Sequence, residues 1–498
     1  MMNRRGKSDS VVVPTKPPNN AGQPAAEAVE GRMLAKGNSL ERNTLRTLRR
    51  DGVPSALERV RQAARRDKKQ RFTALLHHVY DVERLRKAYF ALKRNAAAGI
   101  DGETWLHYGL GLEDNLRDLS ERVRRGAFRA KPVRRAYIPK TDGRQRPLGV
   151  PTLEDKIVQR AVVEVLNAIY EHDFLGFSYG FRPGRSQHHA LDALWVGIVK
   201  RKVNWVLDAD LRDFFGTLNH EWLVKFVEHR VADKRVVRLI QKWLVAGVLE
   251  DGRVTRSEVG TIQGGSISPL LANIYLHYVV DLWIQQWRKT RARGDVIVVR
   301  YADDFVVGIQ HRDDAERILA ALRERLTKFG LALHPDKTRL LQFGKYAAEH
   351  RRRRGLGKPE TFNFLGFTHS CATTMEGWFT VLRRTMRERF RATLQRVKLE
   401  LRLRRHAPIF VTGAYVRAVV LGHIRYFGVP LNFRALDAFR QGVRWLWGRS
   451  LQRRSQRGHL SWARIYRITE RWIPPATICQ PYPLERLGVI TQGRSRVR

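Results

Sequence analysis

Two adjacent carboxylates, Asp303 and Asp304, interrupt the apolar run VIVVRYADDFVVGI from Val296 to Ile309. Seven of the flanking residues are Val or Ile, which reads as two short strands joined by a turn at Tyr301, Ala302, Asp303 and Asp304 rather than as a helix. Taking an unpaired carboxylate out of water costs several kcal/mol, and two side by side also repel. A divalent cation answers both problems, because Mg²⁺ takes hard oxygen ligands and is held by one or two protein carboxylates together with substrate phosphates. The competing reading, for an Asp-Asp pair taken alone, is a polar hairpin tip in solvent. A second source of carboxylates is VLDADLRDFF, Val206 to Phe215. If this is a strand entering a turn, alternation puts Asp208 and Asp210 on one face, so spacing does not choose between them. Either could join Asp303 and Asp304, and three carboxylates at neighbouring strand ends could hold two Mg²⁺ ions for an in-line phosphoryl transfer.

Such a transfer also needs groups for the substrate phosphates. The stretch IPKTDGRQRPLG reads as a TDG turn between two extended arms carrying Lys140, Arg144 and Arg146. Lysine and arginine on a stiff hairpin can clamp a triphosphate. In GTIQGGSISPLLANIYL, Gly264 and Gly265 precede an apolar helix; such glycines permit close backbone approach, and a helix N-terminus attracts anions. The Lys-Ser/Thr ending of a Walker loop is missing.

The elements that must carry these groups alternate. From about Ala130 to Phe367, strand-like runs and helices follow one another with Gly and Pro at the joints, an α+β organisation. Before it, apolar positions recur at helical spacing with a basic opposite face from Leu40 to about Asn95, within a helical N-terminal extension expected over residues 41–132, and residues 1–40 are polar and rich in Gly, Pro and Asn, as expected of a disordered leader. Beyond about Leu382 the strands largely stop and basic helical segments follow. No fixed-period repeat is present.

The 498 residues carry 93 Lys and Arg against 48 Asp and Glu, a formal net charge of +45. A field of this size calls for a polyanion and for salt-dependent binding. The excess concentrates from Val381 to Arg498, with 26 basic residues against 5 acidic ones, which makes that quarter the expected nucleic-acid surface. No segment approaches the roughly 18 consecutive apolar residues of a membrane span, so no membrane partner is expected. Cys371 and Cys479 have no zinc-type spacing and read as ordinary thiols of a reducing compartment.

Taken in order, the motifs resemble those of the reverse transcriptases encoded by group II introns, which also act as maturases. The resemblance is carried by AAAGIDG (96–102), IPKTDGRQRPLGVPTLEDKIVQ (138–159), GFSYGFRPGRS (176–186), DLRDFFGTLNH (210–220), TIQGGSISPLLANIYL (261–276), RYADDF (300–305), GLALHPDKT (330–338) and FNFLGF (362–367). It implies an α+β right-hand polymerase, with fingers and an antiparallel palm sheet over residues 133–370. An all-helical thumb, the maturase domain X, is expected over 371–455, and a basic C-terminal extension over 456–498.

The same resemblance implies the site. Asp210 opens the motif D-(I/L)-(K/R)-x-F-F and so, rather than Asp208, completes a catalytic metal triad with Asp303 and Asp304 for two Mg²⁺ ions, with Mn²⁺ as a substitute. Phe215 crowds the sugar 2′ carbon and selects deoxynucleotides. Lys140 and Arg146 hold the triphosphate, Gln263 lines the nucleotide site, and Lys337 lies near the leaving pyrophosphate. Gly264, Gly265 and Tyr301 contact template or primer. Three positions depart from the family pattern: Ile262 stands where proline is usual before Gln263, and Gly216 and Asn219 replace acidic residues, none of them in the triad. No HNH-type Cys/His cluster follows, so the expectation is a member without the DNA endonuclease domain. The implied partners are group II intron RNA in a ribonucleoprotein, target DNA and dNTPs, with a homodimer compatible. The implied location is the bacterial cytoplasm at the nucleoid, with an organellar location left open.

Overall fold

The computed structural model describes residues 56–139, 145–250, 253–255, 260, 264–454 and 460–491. The leader expected at 1–40, Lys140 and Gln263 lie outside the described residues. The chain divides into two compact units, one holding the described residues up to Thr361 together with Thr373–Thr380, and the other Phe362–Ala372 and Val381 onward.

The first unit begins with helices α1 (Ala56–Arg66), α2 (Val82–Phe90) and α3 (Leu112–Arg124) and continues with α4 (Leu153–Tyr170), α5 (Gln187–Lys200), α6 (His220–Glu228), α7 (Lys234–Val245), α8 (Ser268–Leu276), α9 (Leu282–Thr290) and α10 (Arg312–Thr327). Side-chain caps start several of them: Thr152 accepts the Asp155 N–H ahead of α4, and Ser186 accepts the His189 N–H ahead of α5, each replacing a bond that the first turn of a helix lacks. Interspersed are strands β1 (Val133–Pro139), β2 (Gln145–Val150), β3 (Trp205–Asp210), β4 (Val248–Glu250), β5 (Arg253–Thr255), β6 (Val296–Tyr301), β7 (Asp304–Ile309) and β8 (Arg339–Gln342). One four-stranded sheet has the order β2-β1-β4-β5 and the other β6-β7-β3-β8.

In the second sheet every pairing is antiparallel. Side chains alternate across it: Leu207 and Ala209 of β3 and Phe305, Val307 and Ile309 of β7 enter the main core, where Ile318 and Leu322 of α10 also lie. The same alternation turns Asp208 and Asp210 of β3, and Asp304 of β7, onto the opposite face.

The second unit opens with a three-stranded sheet of β9 (Phe362–Phe364), β10 (Phe367–Thr373) and β11 (Phe379–Thr385) in the order β11-β10-β9. Helices α11 (Arg387–Leu403), α12 (Ile409–Phe427), α13 (Phe433–Gln452) and α14 (Trp462–Trp472) follow. They close over Val397, Leu401, Val416, Val420, Phe439, Val443 and Trp447. The expectation of an all-helical segment from residue 371 is corrected here. The period-two run FTVLRRT buries Val381 and Arg383 and stays a strand to Thr385, so the helices begin at Arg387. Among the described residues no helix is long and apolar enough to cross a membrane.

Candidate active site

The register of the palm-like sheet sets the site. Asp210, the last residue of β3, lies directly opposite Asp304, the first residue of β7, and Tyr301 of β6 is the other partner of Asp304. Only Ala302 and Asp303 remain in the turn between β6 and β7. The strands therefore deliver three carboxylates to one sheet end, Asp210 and Asp304 from neighbouring strands and Asp303 from the turn. Like charges directly opposite one another on a sheet destabilise it unless something neutralises them.

The electrostatics record this conflict. Burial first, and then the charges of Asp208, Asp303 and Asp210, push the Asp304 carboxyl well above the usual carboxylate range, with Lys337 opposing. Burial likewise raises Asp208 to about 6, although Arg339, whose Nη2 is 3.4 Å from its Oδ2, pulls the other way. Asp208 thus shares the face, as alternation required, but stands one pair further from the sheet end, opposite Val306.

Lys337 arrives from the turn that follows the isolated bridge of Leu333 to Leu211. The His334 N–H donates to the Asp210 carbonyl at 2.8 Å and the Arg212 N–H to the Ala332 carbonyl at 2.9 Å. This places the Lys337 ammonium 2.6 Å from Asp210 Oδ2. Among the described residues no group of three or more His, Cys, Asp or Glu side chains is drawn together tightly enough to ligate an ion as it stands. What fits a hard divalent cation is the donor set and its charge: all-oxygen ligands, a surplus of negative charge, and a half-buried carboxyl whose ionised form lacks sufficient compensation.

Sequence reasoning missed the support beneath the turn. Arg300 is fully buried and donates to Asp281 through Nε at 2.7 Å and Nη2 at 2.6 Å, to Asn273 at 3.0 Å, to Ser178 Oγ at 2.7 Å and to the Ala302 carbonyl at 2.9 Å. Asp281 ends a π-helical turn, His277–Asp281, between α8 and α9. The FSYGF loop adds an edge to β6: the Arg300 N–H donates to Phe177 O at 2.9 Å and the Tyr179 N–H to Arg300 O at 2.8 Å. Asn273 Nδ2 then holds the Gly180 carbonyl at 2.6 Å. Gly180 is needed for this approach, since a Cβ there would fall 2.3 Å from the Ala302 nitrogen. Ala302 itself adopts φ +58°, a strained value for a residue with a side chain, and the Arg300 bond helps hold it there. One signal was available in the sequence: an arginine inside an apolar strand run must find a buried partner.

The remaining predicted residues are placed as follows. Phe215 is half-buried beside the main core, edge-on to buried Phe214 at 5.4 Å. Tyr301 is half-buried, with its ring 6.2 Å from that of Phe181. Gly264 has φ +125°, and a Cβ there would lie 2.5 Å from Gly149 O, so the loop runs against the backbone of β2. Gly265 is buried, and the following Ser266 N–H donates to Gln159 Oε1 at 2.9 Å. Arg146 lies in β2 opposite Ile138, on the strand that forms a hairpin with β1.

Residues 138–369 match the family described as reverse transcriptase (RNA-dependent DNA polymerase). The chain is 37% identical to Protein YkfC of Escherichia coli (strain K12) over 274 residues, 49% of this chain and 71% of that protein. It is 35% identical to the group II intron-encoded protein LtrA of Lactococcus lactis subsp. cremoris over 308 residues, 58% of this chain and 50% of LtrA, and so spans about half of that relative. It is also 38% identical over 264 residues to an uncharacterized 91 kDa protein in the cob intron of Schizosaccharomyces pombe, covering 43% of this chain and 32% of that protein.

Proposed function

The chain belongs to the reverse transcriptase (RNA-dependent DNA polymerase) family, in its group II intron-encoded branch, and from that premise we propose that it copies its own intron RNA into DNA after the RNA has inserted at a target, and that it assists the splicing of that RNA as a maturase. The observation that carries the polymerase reading is the pairing of Asp210 with Asp304 at one sheet end, with Asp303 in the adjoining turn. The 3′-hydroxyl of a DNA primer attacks the α-phosphate of a dNTP and pyrophosphate leaves. Divalent cations, Mg²⁺ or Mn²⁺, held by Asp210, Asp303 and Asp304 would supply activation of that hydroxyl and charge for the leaving oxygen.

The chain's own residues do the positioning. Lys140 and Arg146 hold the triphosphate. Phe215 bars a 2′-hydroxyl, and Gln263 lines the nucleotide site. Gly264 and Gly265, leading into α8, and Tyr301 contact template and primer. Lys337, whose ammonium lies 2.6 Å from Asp210 Oδ2, meets the leaving pyrophosphate. The basic helices of the second unit act as thumb and domain X, and residues 456–498 as a nucleic-acid-binding extension. Arginine-rich helices grip phosphates without reading sequence, and structured RNA is recognised largely through its shape.

Purified protein with Mg²⁺, dNTPs and a DNA primer annealed to an RNA template tests this reading, with Asp303→Ala alongside. Extension by the wild type that is lost in the variant, with RNA binding kept, is expected. Extension that persists in the variant refutes the site, and tight RNA binding without extension by either protein moves the reading to a maturase that does not polymerise.

A further inference from the structure

The second unit displays aromatic rings that its own core does not use. Trp445 and Trp447 are two residues apart on α13, which separates them by about 200° around the helix axis. Trp447 is fully buried among Phe439, Val443 and Val420, whereas Trp445 is 55% exposed. The neighbouring helix α14 presents Trp462 and Tyr466, one turn apart and 49% and 51% exposed. The two helices meet at Gly448, where an added Cβ would fall 2.9 Å from the Trp462 ring, and Trp445 stands one turn before that contact.

Cations accompany these rings. The Arg444 guanidinium lies 4.4 Å over the Tyr466 ring and is itself ion-paired with Glu470. Tyr466 is therefore pinned on one side by a group that is mostly buried. Exposed Arg449 sits 5.8 Å from the Trp445 ring centre, and Arg464 and Arg467 are exposed on α14. A half-exposed aromatic costs hydration free energy that a phosphate-gripping surface does not require. Rings interleaved with arginine match what unpaired nucleotides offer, a π-face beside a phosphate. A duplex keeps its base faces stacked inside and cannot use such rings, and the surrounding positive charge favours a polyanion over an apolar protein partner.

We propose that Trp445, Trp462 and Tyr466 form a stacking platform for unpaired nucleotides of RNA, with Arg449 and Arg464 meeting the adjacent phosphates. This rests on the reading of the second unit as an RNA-binding surface and narrows it to single-stranded segments.

Fluorescence anisotropy on the full chain tests it with two probes, an oligouridylate and an RNA duplex with the same number of phosphates. Trp445→Ala and Tyr466→Ala are each expected to weaken oligouridylate binding about tenfold, with duplex binding held within about twofold and the dependence on salt unchanged. Trp445→Phe, which keeps a ring, restores binding. Arg449→Gln weakens both probes and lowers the salt slope by about one. Thermal unfolding of the alanine variants should match the wild type because both side chains are surface groups. Alanine variants that bind oligouridylate like the wild type, or that lose both probes equally, overturn the platform while leaving the RNA-binding reading in place. A wild-type chain that binds neither probe overturns the RNA-binding reading and the platform with it.

Discussion

Replacing Arg300 by methionine separates support of the catalytic turn from support of the fold. Arg300 and Asp281 are both fully buried, and the pair is joined by two short bonds. Removing the arginine strands a carboxylate in the interior, which costs about 3–5 kcal/mol of stability. It also removes the donor to the Ala302 carbonyl, so the turn carrying Asp303 can relax; a displacement near 1 Å at a reacting group costs about a hundredfold in rate. The two effects part in the double variant Arg300→Met with Asp281→Leu. With both charges gone and similar volume kept, stability returns to within about 1–2 kcal/mol of the wild type, yet kcat stays down because nothing holds the Ala302 carbonyl. Urea unfolding and steady-state primer extension on the same preparations read the two quantities, and KM for dNTP should change little. His277 adds a pH signature. Burial, with Arg300 contributing, lowers it to about 4, while Asp281 opposes. In the single variant the arginine is absent and Asp281 is unpaired, so the folded-state pKa of His277 rises. A histidine depressed in the folded state destabilises as pH falls below its unfolded value, and a smaller depression costs less. The stability deficit of Arg300→Met should therefore shrink as pH falls from about 6.5 towards about 4. If kcat recovers together with stability in the double variant, Arg300 serves packing alone and the positioning argument fails.

Asp304→Asn should raise the melting temperature of the metal-free protein while abolishing extension. The folded-state pKa of Asp304 lies above its unfolded value, so its stabilising influence is present below the unfolded pKa and is lost as pH rises, leaving a penalty at neutral pH that the amide removes. Mg²⁺ should raise the melting temperature of the wild type more than that of the variant, and a variant that melts lower in EDTA contradicts the charge argument. Phe215→Ala should lower the preference for dNTP over rNTP, measured as a ratio of kcat/KM values, by about 10–100-fold; an unchanged ratio removes Phe215 from sugar selection. Gly180→Ala drives a methyl into the Ala302 backbone, so stability should fall by about 1–3 kcal/mol and kcat should fall with it. Normal extension by that variant would show that the turn tolerates movement.

The hairpin that carries Asp303 and Asp304 was legible because its signals are local: β-branched residues on both sides and two polar residues between them. Strands Val296–Tyr301 and Asp304–Ile309 lie where that pattern put them, except that Tyr301 and Asp304, expected in the turn, pair with each other as strand ends. Alternation also put Asp208 and Asp210 on one face. Which of them stands at the sheet end depends on how β3 pairs with β7, and register is set by contacts between distant segments that periodicity does not encode. That Arg300 needs a buried partner was legible, but which residues supply it was not, for the same reason: Ser178 and Arg300 are 122 residues apart. The all-helical segment that the resemblance implied from residue 371 begins only at Arg387, and the burial of Val381 and Arg383 that keeps β11 a strand is visible only once β10 is beside it. The WLW stretch of α13 is divided in the same way, with Trp447 inside and Trp445 outside.

Primer extension with Asp208→Asn, Asp210→Asn and Asp303→Asn side by side tests the central claim most directly, namely that the carboxylates at the ends of β3 and β7 run the chemistry. Loss of about a thousandfold or more is predicted for Asp210→Asn and Asp303→Asn, the scale of several kcal/mol of lost charge stabilisation. Asp208→Asn, which removes a carboxylate paired with Arg339, should stay within about tenfold of the wild type. Full activity in Asp210→Asn together with loss in Asp208→Asn would contradict the account.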